Sequence, residues 1–162
     1  MTVASGKLLP ALLLTLAGFF IAGCAEKPPP PPPPTLVELT FIGADDLNPD
    51  PSGRASPVVV RWFQLVGANA FEKADFFQLH DKEAATLGAD LLARDELPVA
   101  PGATQKVSFE AKAGTKFLGV IASYRDIDNA VFRADVPIPA NQTTKLKVQL
   151  DKLKLSIAPN AE

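Results

Sequence analysis

His80 and Asp81 are the adjacent residues best suited to acid–base chemistry, because a carboxylate beside an imidazole can orient the ring for proton transfer. A hydrolytic site would also need an activated nucleophile, and nothing in the sequence marks a particular serine or threonine for that role. His80 is the only histidine, so a metal site could not draw on a second imidazole. We predict that His80 is a surface residue and that the protein is not an enzyme.

A second segment has the spacing of a calcium loop, since side-chain oxygens recur at alternate positions: Asp46, Asn48, Asp50 and Ser52. An EF-hand loop needs glycine at its sixth position for a sharp turn and a bidentate glutamate at its twelfth. Counted from Asp46, those positions hold Pro51 and Pro57. We therefore predict that residues 43–56 form an exposed turn loop with no metal.

Cys24 is the only cysteine, and its position predicts covalent lipid attachment. It follows Ile21-Ala22-Gly23, which resembles the bacterial lipobox: an aliphatic residue and two small ones before the lipidated thiol. Lys7 and the apolar residues 8–21 come before it, and this run is shorter than the roughly 20 residues of a membrane span. We predict a signal peptide over residues 1–23, cleaved before Cys24; an uncleaved anchor helix is the alternative.

The residues after Cys24 indicate where the protein is held. In enteric bacteria, an aspartate directly after the lipidated cysteine retains a lipoprotein at the inner membrane. The residue at that position here is Ala25, not aspartate. We therefore expect anchoring at the periplasmic face of the outer membrane. Residues 28–34 are all proline and predict a polyproline II rod of roughly 20 Å. The predicted segments are then a tether over 24–34, a domain over 35–158 and a tail over 159–162.

The overall charge and length limit the function of this domain. The chain of 162 residues has a net charge of −2, and loss of Lys7 with the signal peptide makes it −3. A mild acidic balance argues against binding to nucleic acid, which requires a basic face. With one cysteine no disulfide can form within the chain, but a domain of this size can bury a core without one.

Beyond Thr35 the apolar residues alternate with polar ones, which is typical of half-buried strands. Two stretches, residues 57–66 and 117–124, are apolar on both faces and predict strands in the interior of a sheet. Seven or eight short strands separated by turns predict an antiparallel β-sandwich. Asn69 and Glu72 fit a capping box that would start a helix, and a second turn is expected over residues 82–87. Residues 75–79 could instead be extended.

Several charged residues lie within these predicted strands. Arg61 shares the face of Val59 and Phe63, so it needs a carboxylate partner, for which Asp75 and Asp90 are the candidates. The lysines of the last two strands alternate with apolar residues and predict a solvated outer face: Lys145, Lys147, Lys152 and Lys154. A contact of these lysines with lipid headgroups or peptidoglycan is the alternative.

The sequence resembles the outer-membrane lipoprotein family of type VI secretion systems, called TssJ, SciN or VasD. Four stretches in this order carry the resemblance: the lipobox at 21–24; Asn48-Pro49-Asp50 with Gly53-Arg54 and the apolar run 57–65; Phe71, Ala74-Asp75-Phe76 and Leu79; and residues 118–122 followed by Tyr124-Arg125-Asp126. They span nearly the whole chain after the signal peptide. The proline tether is not a hallmark of the family. It affects how far the domain can extend from the membrane and does not bear on the family assignment.

The resemblance implies a mainly β, transthyretin-like sandwich with a small helical insertion and no cofactor other than the lipid on Cys24. It implies a partner, the periplasmic C-terminal region of the inner-membrane protein TssM, with contacts to further membrane-complex components as a possibility. In that family the loop between the first two strands makes the main contact. We therefore expect partner contacts from Asp45, Asp46, Asn48, Asp50 and Arg54. The alternative function is a periplasmic lipoprotein module that binds a small ligand or glycan.

Overall fold

The computed structural model describes residues 29–160 of the chain. The predicted signal peptide and Cys24 lie outside these residues. Residues 29–34 of the proline run are exposed and belong to no helix or strand. Among the described residues no helix is long and apolar enough to cross a membrane. The chain divides into two compact units between Pro31 and Pro32, and the fold that follows is that of the second unit.

Two four-stranded sheets form the domain, which confirms the predicted β-sandwich. The strands are β1 (Leu36–Gly43), β2 (Val58–Leu65), β3 (Leu91–Val99), β4 (Thr104–Glu110), β5 (Phe117–Ala122), β6 (Arg133–Pro137), β7 (Thr143–Asp151) and β8 (Lys154–Pro159). The first sheet has the order β4-β1-β7-β8 and the second the order β3-β2-β5-β6. Only the β1–β7 pair is parallel. A long connection separates these two strands, so either direction of pairing is open to them.

The alternating apolar residues of both sheets meet in one core between the layers. Val37, Leu39 and Phe41 of β1 are at most 1% exposed. Trp62 of β2 is 3% exposed, and its ring centroid lies 5.6 Å from that of Phe41 and 6.2 Å from that of Phe109. Trp62 is therefore a core residue, as expected for an aromatic side chain in a strand that is apolar on both faces.

A helical insertion covers the other face of the second sheet. It consists of α1 (Asn69–Lys73), α2 (Phe76–Asp81), α3 (Glu83–Leu87) and a 3-10 turn (Gly88–Asp90). Its buried residues pack against the outward side chains of the inner strands β2 and β5: Phe71, Leu79 and Leu87 against Phe63, Leu65 and Ile121. Burial on both faces explains why β2 and β5 carry apolar side chains on both faces.

The predicted start of the first helix is wrong. The N-cap is Ala68, which makes no side-chain cap, and Asn69 is the first residue inside the helix. The capping box belongs to α2, where the Asp75 carboxylate accepts from the Gln78 amide at 2.8 Å and the Gln78 side chain accepts from the Asp75 amide at 2.9 Å. The extended alternative for residues 75–79 is wrong as well, since α2 begins at Phe76 and only its N-cap, Asp75, is extended.

The predicted partners of Arg61 are also wrong. Its guanidinium lies 2.7 Å from the Glu96 carboxylate and 3.6 Å from that of Glu83, and it donates to the His80 carbonyl at 2.7 Å. Arg94 pairs with Glu83 at 2.7 Å. Glu96 is a partner because the β2–β3 register places it directly opposite Arg61. These contacts connect α2 and α3 to the second sheet.

Candidate functional site

The connection between β1 and β2 forms a long loop at one end of the sandwich, as the sequence predicts. The loop is fixed to the core at both ends, because Leu47 is fully buried and Ser56 is 4% exposed. Its backbone bonds to the last strands as well, with the Ala44 amide donating to the Leu150 carbonyl at 2.8 Å. Between these fixed points, residues 51–54 extend into solvent.

Asn48 connects this loop to two other segments of the chain. Its amide donates to the Lys152 carbonyl at 3.0 Å, and its side-chain nitrogen donates to the Pro57 carbonyl at 2.8 Å. Its side-chain oxygen accepts from the Arg125 amide at 2.8 Å. The residue has a φ of 48°, a left-handed conformation that asparagine tolerates better than most residues.

The expectation that Asn48 contacts a partner is therefore corrected. The residue is 2% exposed, and its side-chain donor and acceptor are both used within the chain. A buried polar side chain with satisfied hydrogen bonds stabilises the local conformation. Asn48 sets the shape of the surface rather than forming part of it.

Asp50 organises the tip of the loop through a compact turn. One carboxylate oxygen accepts from the Ser52 hydroxyl at 2.6 Å, the Ser52 amide at 2.9 Å and the Arg54 amide at 3.0 Å. The other oxygen accepts from the Arg54 Nε at 3.1 Å. The Ser52 hydroxyl and the Arg54 amide lower the pKa of Asp50 to about 2 by stabilising the charged form.

The other three predicted site residues lie on the surface. Asp45 and Asp46 are exposed, and the Arg54 side chain is 80% exposed against 15% for Asp50. Asp45 lies beside the β3–β4 turn, where a Cβ added to Gly102 would come within 2.9 Å of its carboxylate. Asp45, Asp46 and Arg54 are therefore the loop side chains available to another molecule.

A cleft of about 550 Å³ adjoins the loop, and the sequence does not reveal it. Pro49, Asp50 and Pro51 line it together with Arg125 and Asp126 of the β5–β6 turn and Lys152 of the β7–β8 turn. The sequence shows a charged turn over residues 125–129 and a series of lysines. It does not show that these segments, far apart in the chain, meet at one end of the sandwich.

His80 belongs to α2, does not line this cleft and is partly exposed. Its Nδ1 is 2.7 Å from the Asp81 carboxylate, and its ring stacks on Phe76 with centroids 5.1 Å apart. Within residues 29–160 no group of three or more histidine, cysteine, aspartate or glutamate side chains could hold a metal ion.

The two layers, their strand order and the helical cover define a transthyretin-like β-sandwich. Within that class, the chain belongs to the type VI secretion lipoprotein family. The T6SS-SciN family model, described as type VI secretion lipoprotein, VasD, EvfM, TssJ, matches residues 35–153. This result confirms the resemblance seen in the sequence.

One solved structure agrees with this assignment, and two others share the fold. The T6SS lipoprotein TssJ1 from Pseudomonas aeruginosa is 34% identical, with a TM-score of 0.77 over 80% of this chain and 99% of that one. Lip from Serratia marcescens, a membrane-bound component of the type VI secretion system, is 23% identical with a TM-score of 0.73 over 80% and 99%. A structure described as the TssM C-terminal domain from EAEC matches at 21% identity and a TM-score of 0.64 over 77% and 98%. A search of curated proteins gives no match.

We predict that Asn48→Ala lowers the free energy of unfolding by about 1–3 kcal/mol, because it removes two part-buried hydrogen bonds that contribute about 0.5–1.5 kcal/mol each. Urea unfolding gives this value, and the Arg125 amide should exchange faster with solvent. Asn129→Ala is the matched control, since Asn129 is exposed and bonds only to Asp126. An equal effect of the two substitutions would contradict the structural role of Asn48.

A second prediction concerns pH. The folded pKa of Asp50, about 2, is below the ordinary 3.8, so the turn contributes its full stability above pH 4 and loses it as the pH falls through 2. A carbon-detected NMR titration should give a midpoint near 2 for Asp50, and Ser52→Ala should raise it. A midpoint that stays the same in Ser52→Ala would mean that the hydroxyl does not lower the pKa.

Proposed function

We propose that this lipoprotein anchors the type VI secretion membrane complex at the outer membrane by binding the periplasmic C-terminal region of a TssM-like inner-membrane protein. The observation that carries the proposal is the β1–β2 loop. Asn48 fixes its backbone at three points, while Asp45, Asp46 and Arg54 extend into solvent. A polar surface presented on a rigid scaffold is typical of a recognition site.

The energetics of the loop favour this role. Binding must order any flexible segment that it uses, and that ordering reduces the affinity. Here Pro49 and Pro51 restrict the backbone, and the Asp50 turn is already formed in the free protein. The loop can therefore bind with little additional loss of conformational entropy.

The comparisons support the choice of partner. The family consists of type VI secretion lipoproteins, so its members act with other components of that system. A structure described as the TssM C-terminal domain shares the present fold. The periplasmic region of a TssM-like protein is therefore the partner to test first.

The proposal includes an anchor at Cys24. Acylation of this cysteine, including palmitate, would hold the chain at the periplasmic face of the outer membrane, and several acyl chains give stable anchoring where one does not. The proline run would keep the domain roughly 20 Å from the lipid surface.

We predict that Asp46→Ala with Arg54→Ala weakens binding of the TssM periplasmic region by about tenfold or more, which corresponds to about 1.4 kcal/mol. Calorimetric titration measures the loss. The matched control is Glu110→Ala with Lys112→Ala, which also removes one charge of each sign. These two residues are exposed at the opposite end of the sandwich, where Glu110 pairs with Leu36.

Both double variants should keep the circular dichroism and the unfolding midpoint of the unaltered protein, because all four side chains are exposed. Equal affinities of the two variants would remove the loop from the proposed interface. No binding by the unaltered protein would remove TssM as the partner.

Replacing Cys24 tests the anchor separately from the interface. We expect Cys24→Ser to leave the protein soluble in the periplasmic fraction, because serine has no thiol to which the lipid can be attached. Immunoblots of periplasmic and membrane fractions show the distribution, with the unaltered protein as the control. A Cys24→Ser protein that still sediments with membranes would contradict lipidation at this residue.

A further inference from the structure

We propose that the interface extends beyond the loop and that the adjoining cleft binds an acidic segment of the partner protein through Arg125 and Lys152. This inference rests on the proposed function and adds the chemistry of the partner segment. The cleft, about 550 Å³ in volume, is open to solvent between the loop and two other turns.

The charges of the cleft indicate which chemical group of a partner it would bind. Its acidic side chains are already engaged, since Asp50 binds Ser52 and Arg54, and Asp126 accepts from the Asn129 side chain at 2.9 and 3.1 Å. Arg125 and Lys152 are exposed, and neither takes part in the ion pairs found among residues 29–160. Asp50 is paired with the Arg54 cation, so Arg125 and Lys152 face one remaining carboxylate, Asp126. The unpaired charge of the cleft is therefore positive, and a carboxylate complements it.

The backbone positions of the two cations are fixed relative to the loop. Asn48 accepts from the Arg125 amide and donates to the Lys152 carbonyl, so one buried residue sets both positions. The Tyr124 hydroxyl also donates to the Asp151 carbonyl at 3.2 Å, which joins the two turns directly. A guanidinium and an ammonium held at one cleft can bind two carboxylates of a single segment, the guanidinium through paired hydrogen bonds.

The location of the cleft favours a protein segment over an anionic lipid. The cleft lies where β1 ends, while the chain from the predicted anchor enters β1 at its other end, at Leu36. β1 has 8 residues, and a strand of that length spans roughly 25 Å. The cleft is therefore at the opposite end of the sandwich from the point where the chain enters β1, and it lies beside the proposed contact loop.

The test compares two double variants of the detergent-purified, lipidated protein. Arg125→Gln with Lys152→Gln removes both cleft cations. Lys106→Gln with Lys147→Gln removes two cations from the outer face of the first sheet, where both residues pair with Thr40. We expect the cleft variant to bind the TssM periplasmic region about tenfold or more weakly, with a smaller salt dependence, and the control to change less than about twofold.

Carbodiimide crosslinking tests the chemistry of the contact, because it joins an amine to a carboxylate only when the two lie together. We expect mass spectrometry to find Lys152 joined to an aspartate or glutamate of the partner. Equal affinities of the two variants, or crosslinks from other lysines without Lys152, would overturn the cleft assignment while the loop interface stands. Binding of the cleft to phosphatidylglycerol vesicles, lost in the same variant while partner binding is kept, would also overturn it.

If the unaltered protein does not bind the TssM region at all, the proposed function fails first, and the cleft proposal fails with it. Both variants retain every hydrogen bond of Asn48, because Arg125 and Lys152 contribute only backbone groups to them. A change in affinity therefore reports the side-chain charges and not the shape of the loop.

Discussion

The hydrogen bonds of one buried asparagine set the geometry of the functional end of this domain. Asn48 bonds to Pro57, Arg125 and Lys152, which belong to three connections between different strands. Joined through Asn48, they form one surface whose side chains have defined relative positions.

The sandwich supplies a rigid base for that surface. β1 and β7, which lead into two of the three connections, lie in the interior of the first sheet and contribute to the central core. The second sheet has its own support, since the helical insertion buries the outer side chains of β2 and β5. Arg61 also contacts the insertion, through the Glu83 carboxylate of α3 and the His80 carbonyl of α2, and these contacts hold the helices against the sheet.

The sequence predicts the layers of the fold well and the contacts between distant segments poorly. Alternation in β1 and continuous apolarity in β2 are local patterns that follow directly from which faces are buried. The partner of Arg61 depends on the register of β2 against β3, and neither strand encodes that register locally. The sequence predicts a surface position for Asn48, because an asparagine before a proline in a loop rich in aspartate is typical of an exposed turn.

For the candidate site, too, the sequence predicts local features but not the contacts between distant segments. Exposure of Asp45, Asp46 and Arg54 follows from a polar loop between two strands, so these residues could be found from the sequence. Arg125 and Lys152 could not, because their proximity to the loop arises only when three connections meet at one end of the sandwich. The resemblance to the family located the loop, and the structure was needed to find the cleft.

The position of β1 has a mechanical consequence. This strand joins the entry of the chain at Leu36 directly to the loop that follows Gly43. If the membrane pulls on one end and a partner on the other, the tension passes along the peptide bonds of a single strand that is already extended. The hydrogen bonds to β4 and β7 keep the strand in place without carrying that tension. The domain could therefore transmit force without any of its strands having to separate.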